Sequence, residues 1–452
     1  PNSVEYNDTL WNPRNLLELD LVTLTQIKQA RNLSNTPIGQ IYSQMQPSGQ
    51  QYSVMGDPNL GEIKGILIGV ENTNAEAAVC GEMWANELRL SSLDEKGGVA
   101  ALGRLDLQLS DLGTISVSAN VHTPGYGNLE QKINERYRDN FVQFDVAANL
   151  ELGKLLPKRA GMSIPFFAGY SYTNSSPEYD PYEKDIKMKD VMKGQTAANK
   201  GSVRDEAVTF TSISTVNFTN VRKTKTNGKA PKIYDVENFD VSYSYIKTSS
   251  HNPLIEFNDV TRQRAALGYN YSPQPKYFEP FKNMFKKTKH HWFDLIKDFN
   301  FNYLPSQLSF RIDVSKQYGA IRPRSIGGDD YVIPETYDKY FRMQRDYIVR
   351  WNFTRSLSLD YVASNNSVID EPYGAIDTKS EKDTVRKNFF KGGRNTLFTQ
   401  TVGLVYAFPT SKLPLLDWTN INLKYQANYM WIGASRLAVD LGNTLENGQQ
   451  TE

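Results

Sequence analysis

The residues best equipped for chemistry are few, and their spacing works against it. His290 and His291 are the one adjacent histidine pair, and neighbours on an extended segment point to opposite faces, a poor geometry for one metal. A solvated surface pair is the reading they support. Gly327 to Asp330, GGDD, sets two carboxylates side by side without the spaced Asp/Asn ladder and distal Glu of a calcium loop. A polar turn fits it better. Glu178 to Asp185, EYDPYEKD, holds four carboxylates, which paired acid–base catalysis would need but which a long loop more often keeps solvated. The single cysteine, Cys80, rules out an intrachain disulfide and a thiolate zinc cluster and is expected to be a buried small hydrophobe. Gly61, Gly65, Gly69 and Gly81 do not form a phosphate loop, and no G-x-S-x-G or H-E-x-x-H is present. The chain is therefore expected not to be an enzyme and to carry no metal or cofactor.

Composition narrows the class further. With 51 Lys+Arg against 50 Asp+Glu the net charge is +1, so no charge excess favours nucleic acid or an anionic surface as the main partner. The 452 residues have room for two or three ordinary domains or one very large β structure. No apolar run of about 18 residues occurs, so a membrane-spanning helix is not expected. A β-barrel strand needs only about 9 to 11 residues, half of them polar. The mean hydropathy of −0.53 is thus compatible with a barrel as well as with a soluble fold. The 26 Tyr and 21 Phe suit strands and interfacial belts. The opening PNSVEYNDTL has neither an initiator Met nor a signal-peptide layout, the expectation for a processed product or a piece of something longer.

From residue 98 onward a period of two recurs. NINLKYQANYMW, residues 420–431, places Ile421, Leu423, Tyr425, Ala427, Tyr429 and Trp431 on one face, and Asn420, Asn422, Lys424, Gln426 and Asn428 on the other, with Met430 the exception. The same alternation runs through GRLDLQLS, TISVSANVH, NFVQFDVAANLEL, SIPFFAGYSYT, VTFTSISTVNF, NFDVSYSYIK, RQRAALGYNY, LSFRIDVS, RDYIVRWNF, LSLDYVAS and FTQTVGLVYAF. These predict about twelve strands. Compact connections (SDLG, GKLLPKRAG, TRS, PTSKLPLLD) take turns with long polar ones at residues 123–138, 175–205, 319–339 and 364–395. That is an up-and-down antiparallel meander with different caps at its two ends, the plan of a transmembrane β-barrel. Two connections at the compact end, RKTKTNGKAPKIYDVE and the stretch from Ser272 to Gln307, are long exceptions, and the second holds a predicted small helix around Trp292 to Lys297. A soluble sandwich would also alternate, but its strands usually run about 5 to 6 residues and its loops are short. Tyr170/Tyr172, Tyr243/Tyr245, Tyr269/Tyr271, Trp351/Phe353, Tyr406/Phe408 and Tyr429/Trp431 are expected near strand ends, where an interfacial girdle belongs.

Residues 1–97 read differently, as the end of a soluble β-sandwich-like domain ahead of barrel strands at 98–452. LVTLTQIKQARN predicts a short helix, and GEIKGILIGVEN and GEMWANELRLSS predict two strands.

Five long stretches carry a family resemblance: residues 80–127 (CGEMWANELRLSS through VHTPGYG), SSPEYDPYEKDIKM, VNFTNVRK, KDFNFNYLPSQLSFR and LDYVASNNSVIDEPYG. Together they resemble the SprA/Sov family, the outer-membrane translocons of the type 9 secretion system in Bacteroidota. The resemblance spans essentially the whole chain and implies a fragment of a much longer protein. It further implies a protein-conducting channel in the bacterial outer membrane that exports folded cargo proteins and supports gliding motility. The partners it implies are a periplasmic plug protein and a PorV-like barrel.

On this reading Leu423, Tyr425, Tyr429 and Trp431 face lipid or its interface. Arg104, Asp106, Gln143, Asp145, Arg311, Asp313, Asn422 and Lys424 face a water-filled lumen. Both signs recur along the wet face, as in Arg104 with Asp106, Arg311 with Asp313, and Asp346 with Arg350. A near-neutral wall neither traps nor repels cargo by charge. Two other classes fit the pattern: a plugged nutrient-uptake barrel and a soluble β-sandwich adhesin.

Overall fold

The computed structural model describes residues 16–34, 36–73, 77–78, 80, 83–225, 232–282, 284, 294–326, 331–413, 416–437, 442–445 and 449–451. His290, His291, Trp292 and the Gly327 to Asp330 turn lie outside the described residues. The chain divides into two compact units: residues 1–102, 120–142 and 174–209 form one, and residues 103–119, 143–173 and 210–452 the other. Residues 1–97, read above as one domain, are thus joined in their unit by two later segments.

The first unit holds α1 (Leu21–Leu33), where the sequence predicts a helix, and a hairpin of β1 (Tyr42–Met45) and β2 (Gln51–Val54). Asp20 caps α1, its carboxylate accepting from Val22 N at 3.0 Å. Among the described residues before residue 100, the regular elements are this helix, this hairpin and a 3-10 turn at Leu60–Glu62. The strands expected in GEIKGILIGVEN and GEMWANELRLSS do not form: their described residues lie outside any strand, and Leu67 is 97% exposed. Period-two patterning becomes a strand only where a neighbouring backbone completes the hydrogen bonds. Cys80, expected to be buried, is exposed.

From residue 100 the alternating segments do pair. The long strands are β3 (Ala100–Leu109), β4 (Gly113–His122), β5 (Asp139–Glu151), β7 (Pro165–Pro177), β8 (Thr209–Lys223), β9 (Phe239–Asn252), β10 (Ile255–Tyr271), β11 (Gln307–Pro323), β12 (Thr336–Asn352), β13 (Leu357–Val368), β14 (Arg394–Phe408) and β15 (Ile421–Ile432). These twelve match the number that the alternation predicts. The two-residue β6 (Met162–Ser163) pairs β8, and β16 (Asn443–Leu445) and β17 (Gln450–Thr451) follow β15. The sheet runs in chain order from β3 to β17, leaving β6 aside, and does not close among the described residues. From β8 to β17 the strands pair antiparallel with their neighbours. Helices α2 (Met188–Gly194), α3 (Lys200–Ala207), α4 (Asp294–Lys297) and α5 (Lys379–Phe390) lie in connections.

Several strands outrun their alternating cores. NFDVSYSYIK and RQRAALGYNY leave a gap at residues 248–261, yet β9 and β10 run through it and turn at Pro253–Leu254. Asn252 makes that turn, its Oδ1 accepting from the backbone of Leu254 and Ile255, each at 2.9 Å. The loop expected at 319–339 shrinks likewise to 324–335. Tyr170/Tyr172 and Tyr243/Tyr245, expected near strand ends, fall inside β7 and β9.

Candidate functional site: a two-faced wall

Directly paired residues of an antiparallel sheet lie on the same face, so the register traces each face from strand to strand. Lys424 pairs with Val405, Val405 with Ser358, Ser358 with Asn352. Two residues back along β12, Arg350 pairs with Gln307 and Asp346 with Arg311. Asn422, Lys424, Arg311 and Asp313 therefore share one face. Gln143 and Asp145 lie together on β5: Gln143 donates to Asp145 at 2.8 Å, and Ser171 of β7 donates to the same carboxylate at 2.6 Å. Arg104 and Asp106 form an ion pair at 2.8 Å on β3, with Ser116 of β4 hydrogen-bonded to Asp106.

This face is a ladder of short polar contacts. Asp313 accepts from Arg264 at 2.5 Å and from Arg311 at 3.3 Å, while Arg311 also reaches Asp240 at 3.8 Å. Asp346 and Arg350 carry opposite signs without meeting, since four residues of strand separate them by about 13 Å. Asp346 accepts from Ser364 at 2.7 Å and Arg350 pairs with Asp360 at 3.5 Å. The face is not uniformly polar, because Ile348 lies directly opposite Val362.

The other face is apolar over a limited height. Tyr271, Tyr269, Leu267 and Ala265 of β10 pair with Leu308, Phe310, Ile312 and Val314 of β11. Past them the same face turns polar, with Gln263 paired to Lys316. From Leu308 to Val314 the band measures roughly 20 to 24 Å at about 3.4 Å per residue. Tyr429, Gln400, Ala363, Tyr347, Phe310, Tyr269 and Phe239 form one row across seven strands, four of whose rings meet as Phe310–Tyr347 at 5.0 Å and Phe239–Tyr269 at 4.9 Å. Leu423 is 59% and Tyr425 63% exposed. Trp431 pairs with Phe398 on this face, and Trp351 donates its ring N–H to the Asn302 carbonyl at 2.8 Å.

In the first unit the four carboxylates of EYDPYEKD do not gather into an acid–base site. Asp185 and Glu183 pair with the buried Lys28 of α1 at 3.2 and 3.4 Å. Glu178 pairs with Lys187 at 3.4 Å, and Asp180 accepts from Tyr182 N at 2.9 Å. They are anchors for the loop. Burial pulls the Lys28 ammonium down, but hydrogen bonds to Asp57 and Asp185 and the charge of Glu183 outweigh it, leaving the group above its ordinary value. The Lys187 hydrogen bond, helped by the Lys96 backbone N–H, holds the Asp94 carboxyl below its ordinary range.

A cavity of about 730 Å³ lies at the ends of β3, β4, β5 and β7, lined by Asn120, His122, Tyr126, Tyr137, Asp139, Phe141, Ser175 and residues 100–102. His122 stacks on Phe141 at 4.9 Å, its Nε2 is 3.0 Å from Asp139 Oδ1, and Ser175 donates to Asp139 Oδ2 at 2.5 Å. Asp139 sits between the serine and the histidine, so the imidazole is not placed to take the serine proton. Sequence reasoning missed this cluster because its members are scattered along the chain: His122 registered only as a polar member of a strand pattern, and Ser175 as the start of a long connection.

A large antiparallel sheet with one apolar and one charged face defines the class of the molecule. Residues 2–192 match the SprA_N family model, described as a motility related/secretion protein. The match spans under half of the chain and agrees with the SprA/Sov resemblance over those residues. No curated protein matches the chain.

Proposed function

We propose that this chain is part of a protein-conducting outer-membrane channel, the type 9 secretion translocon, which exports folded cargo from the periplasm to the cell surface. The observation that carries the reading is the apolar band of β10 and β11, backed on the opposite face by the Arg264–Asp313–Arg311 ladder. Measured along strands that tilt by roughly 35 to 45°, the band projects to about 14 to 20 Å, most of the roughly 25 Å apolar belt of outer-membrane barrels. The motility related/secretion family supports the export role. The wet face offers cargo a hydrated wall of mixed sign, which suits a conduit for many proteins better than a filter for one solute. The chain has no catalytic part in this reading. A periplasmic plug protein would close such a channel when idle, and a PorV-like barrel would meet cargo at its exit.

The test uses the full-length protein. It should remain with outer membranes after alkaline carbonate and high-salt washing, and its depletion should leave cargo in the periplasm. Release into the soluble fraction overturns the membrane part; secretion that continues without the protein overturns the export part.

A further inference from the structure

Helix α5 lies on the apolar side of the sheet, just beyond the band. Phe341 of β12 is on that face, six residues from Tyr347 of the aromatic row, and Phe389 of α5 stacks on it at 5.7 Å with an interplanar angle of 11°. Val385 is buried beneath the helix. Arg345, one row out from Tyr347, fastens the end of the connection by donating to the Gly392 carbonyl at 3.4 Å and to Asn395 Oδ1 at 3.0 Å. Thr378 and Glu381 close a capping box at the helix start. The cap terminates the helix cleanly at its start, and the Phe341–Phe389 stack and the Arg345 bonds hold its C-terminal half on this face.

Its outer surface is basic and partly aromatic. Lys379, Lys382, Arg386, Lys387 and Lys391 are exposed, and none of them forms an ion pair among the described residues. Glu381 is occupied by the cap, which leaves Asp383 as the exposed acid within the helix. Phe390 is 74% exposed with Arg386 stacked over it at 5.9 Å, and Tyr373 of the same connection is 83% exposed. A half-buried Phe389 beside buried Val385, with an exposed Phe390 set in a basic outer face, is the composition of a helix lying at a membrane interface.

We propose that α5 is an interfacial anchor whose basic face binds the phosphate-bearing headgroups of the lipid that surrounds the apolar band. The proposal rests on the membrane reading above. Its occupant follows from charge and continuity: the face is cationic, and it adjoins the surface that reading gives to lipid.

The experiment places a spin label at Asp383→Cys or Tyr425→Cys of the full-length protein in a Cys80→Ala background, in nanodiscs of phosphatidylcholine with or without phosphatidylglycerol. Access of a water-soluble nickel chelate is the readout. At position 383 access should fall at least about twofold when phosphatidylglycerol is present, and Lys382→Ala/Arg386→Ala/Lys387→Ala should abolish the difference. The label at 425 should be shielded in both discs. If 425 is shielded but 383 is equally open in both, the helix proposal falls and the membrane reading stands. Shielding at 383 that is the same in both discs and survives the triple substitution also overturns it, since protein rather than phosphate then covers the face. If 425 is as open as 383, the membrane reading falls and takes the helix proposal with it.

Discussion

Lys28 of α1 and Asp185 of the loop after β7 meet at 3.2 Å, with each side chain 3% exposed. Replacing Lys28 with Met leaves a buried carboxylate without its cation, which should destabilise this contact by about 3 to 5 kcal/mol. Asp57, 62% exposed, is a rim partner whose change to Asn should cost under about 1 kcal/mol. Hydrogen exchange across residues 21–60 should therefore accelerate strongly in Lys28→Met and little in Asp57→Asn. Equal protection in both variants would show that the pair does not hold the helix.

The same contact carries a pH dependence of fixed sign. The Lys28 value is raised above its ordinary 10.5 in the folded chain, so folding favours the protonated form. Its stabilising share is fully present below the unfolded value and is lost as pH rises through the higher folded value. Protection of α1 should hold at neutral and mildly alkaline pH and weaken above about 10.5. In Lys28→Met that alkaline step should vanish, which circular dichroism cannot resolve for one helix but peptide-level exchange can.

The sheet was legible because one face of each strand had to be apolar, and a period of two records that constraint directly. Strand ends were less legible. Beyond the band, residues such as Ser249, Ser250 and Asp259 pair through their backbones with no apolar face to mark them, so β9 and β10 read short. The opposite error arose in GEIKGILIGVEN, where alternation is clear but no strand forms, because pairing is a property of two segments. The His122 cavity and the Lys28 cluster were invisible for a related reason: Lys28 and Asp185 are 157 residues apart.

Arg345 should govern the connection above the band without governing the sheet. Its Nη2 lies 3.0 to 3.4 Å from Asn365 Oδ1, Ser367 Oγ, the Gly392 carbonyl and Asn395 Oδ1, so the two N–H groups of one nitrogen are shared between strand and connection acceptors. Arg345→Met should free residues 369–393 to proteolysis and cost roughly 1.5 to 3 kcal/mol. A cleavage pattern unchanged in Arg345→Met would assign the anchoring to Phe341–Phe389 alone.

Orientation follows from the parity of the meander. Residues 175–205 and 364–395 should lie outside the cell, and the compact turn at Pro157–Gly161 in the periplasm, because the longer connections of outer-membrane barrels are external. In a Cys80→Ala background of the full-length protein, cysteines replacing Lys189 and Lys382 should react with an impermeant maleimide on intact cells, whereas one replacing Arg159 should not. The reverse pattern would turn the molecule over in the membrane.

The sharpest comparison is between neighbours on β15. Leu423 pairs with Tyr406 on the apolar face, and Asn422 pairs with Ala407 on the wet one, so one strand presents both environments within a single residue step. If the apolar face meets lipid as proposed, Leu423→Arg places a guanidinium against hydrocarbon at a cost of roughly 2 to 4 kcal/mol near the bilayer midplane, less toward an interface. Asn422→Arg adds one more charge to a wall that already carries Lys424, Asp360 and Arg350. Assembled protein, read as the folded band in heat-modifiability gels, should fall for Leu423→Arg and hold for Asn422→Arg. A dry protein core behind Leu423 would also reject Arg, so Trp431 separates the two readings. Trp431→Phe keeps a ring and loses the indole N–H, while Trp431→Leu keeps only apolar bulk. A dry core should accept Leu with modest loss, whereas an interfacial ring depends on its amphipathic edge, and membrane positioning should weaken progressively from Trp through Phe to Leu. If Asn422→Arg and Leu423→Arg behave alike, the assignment of lipid and lumen to the two faces of β15 is wrong.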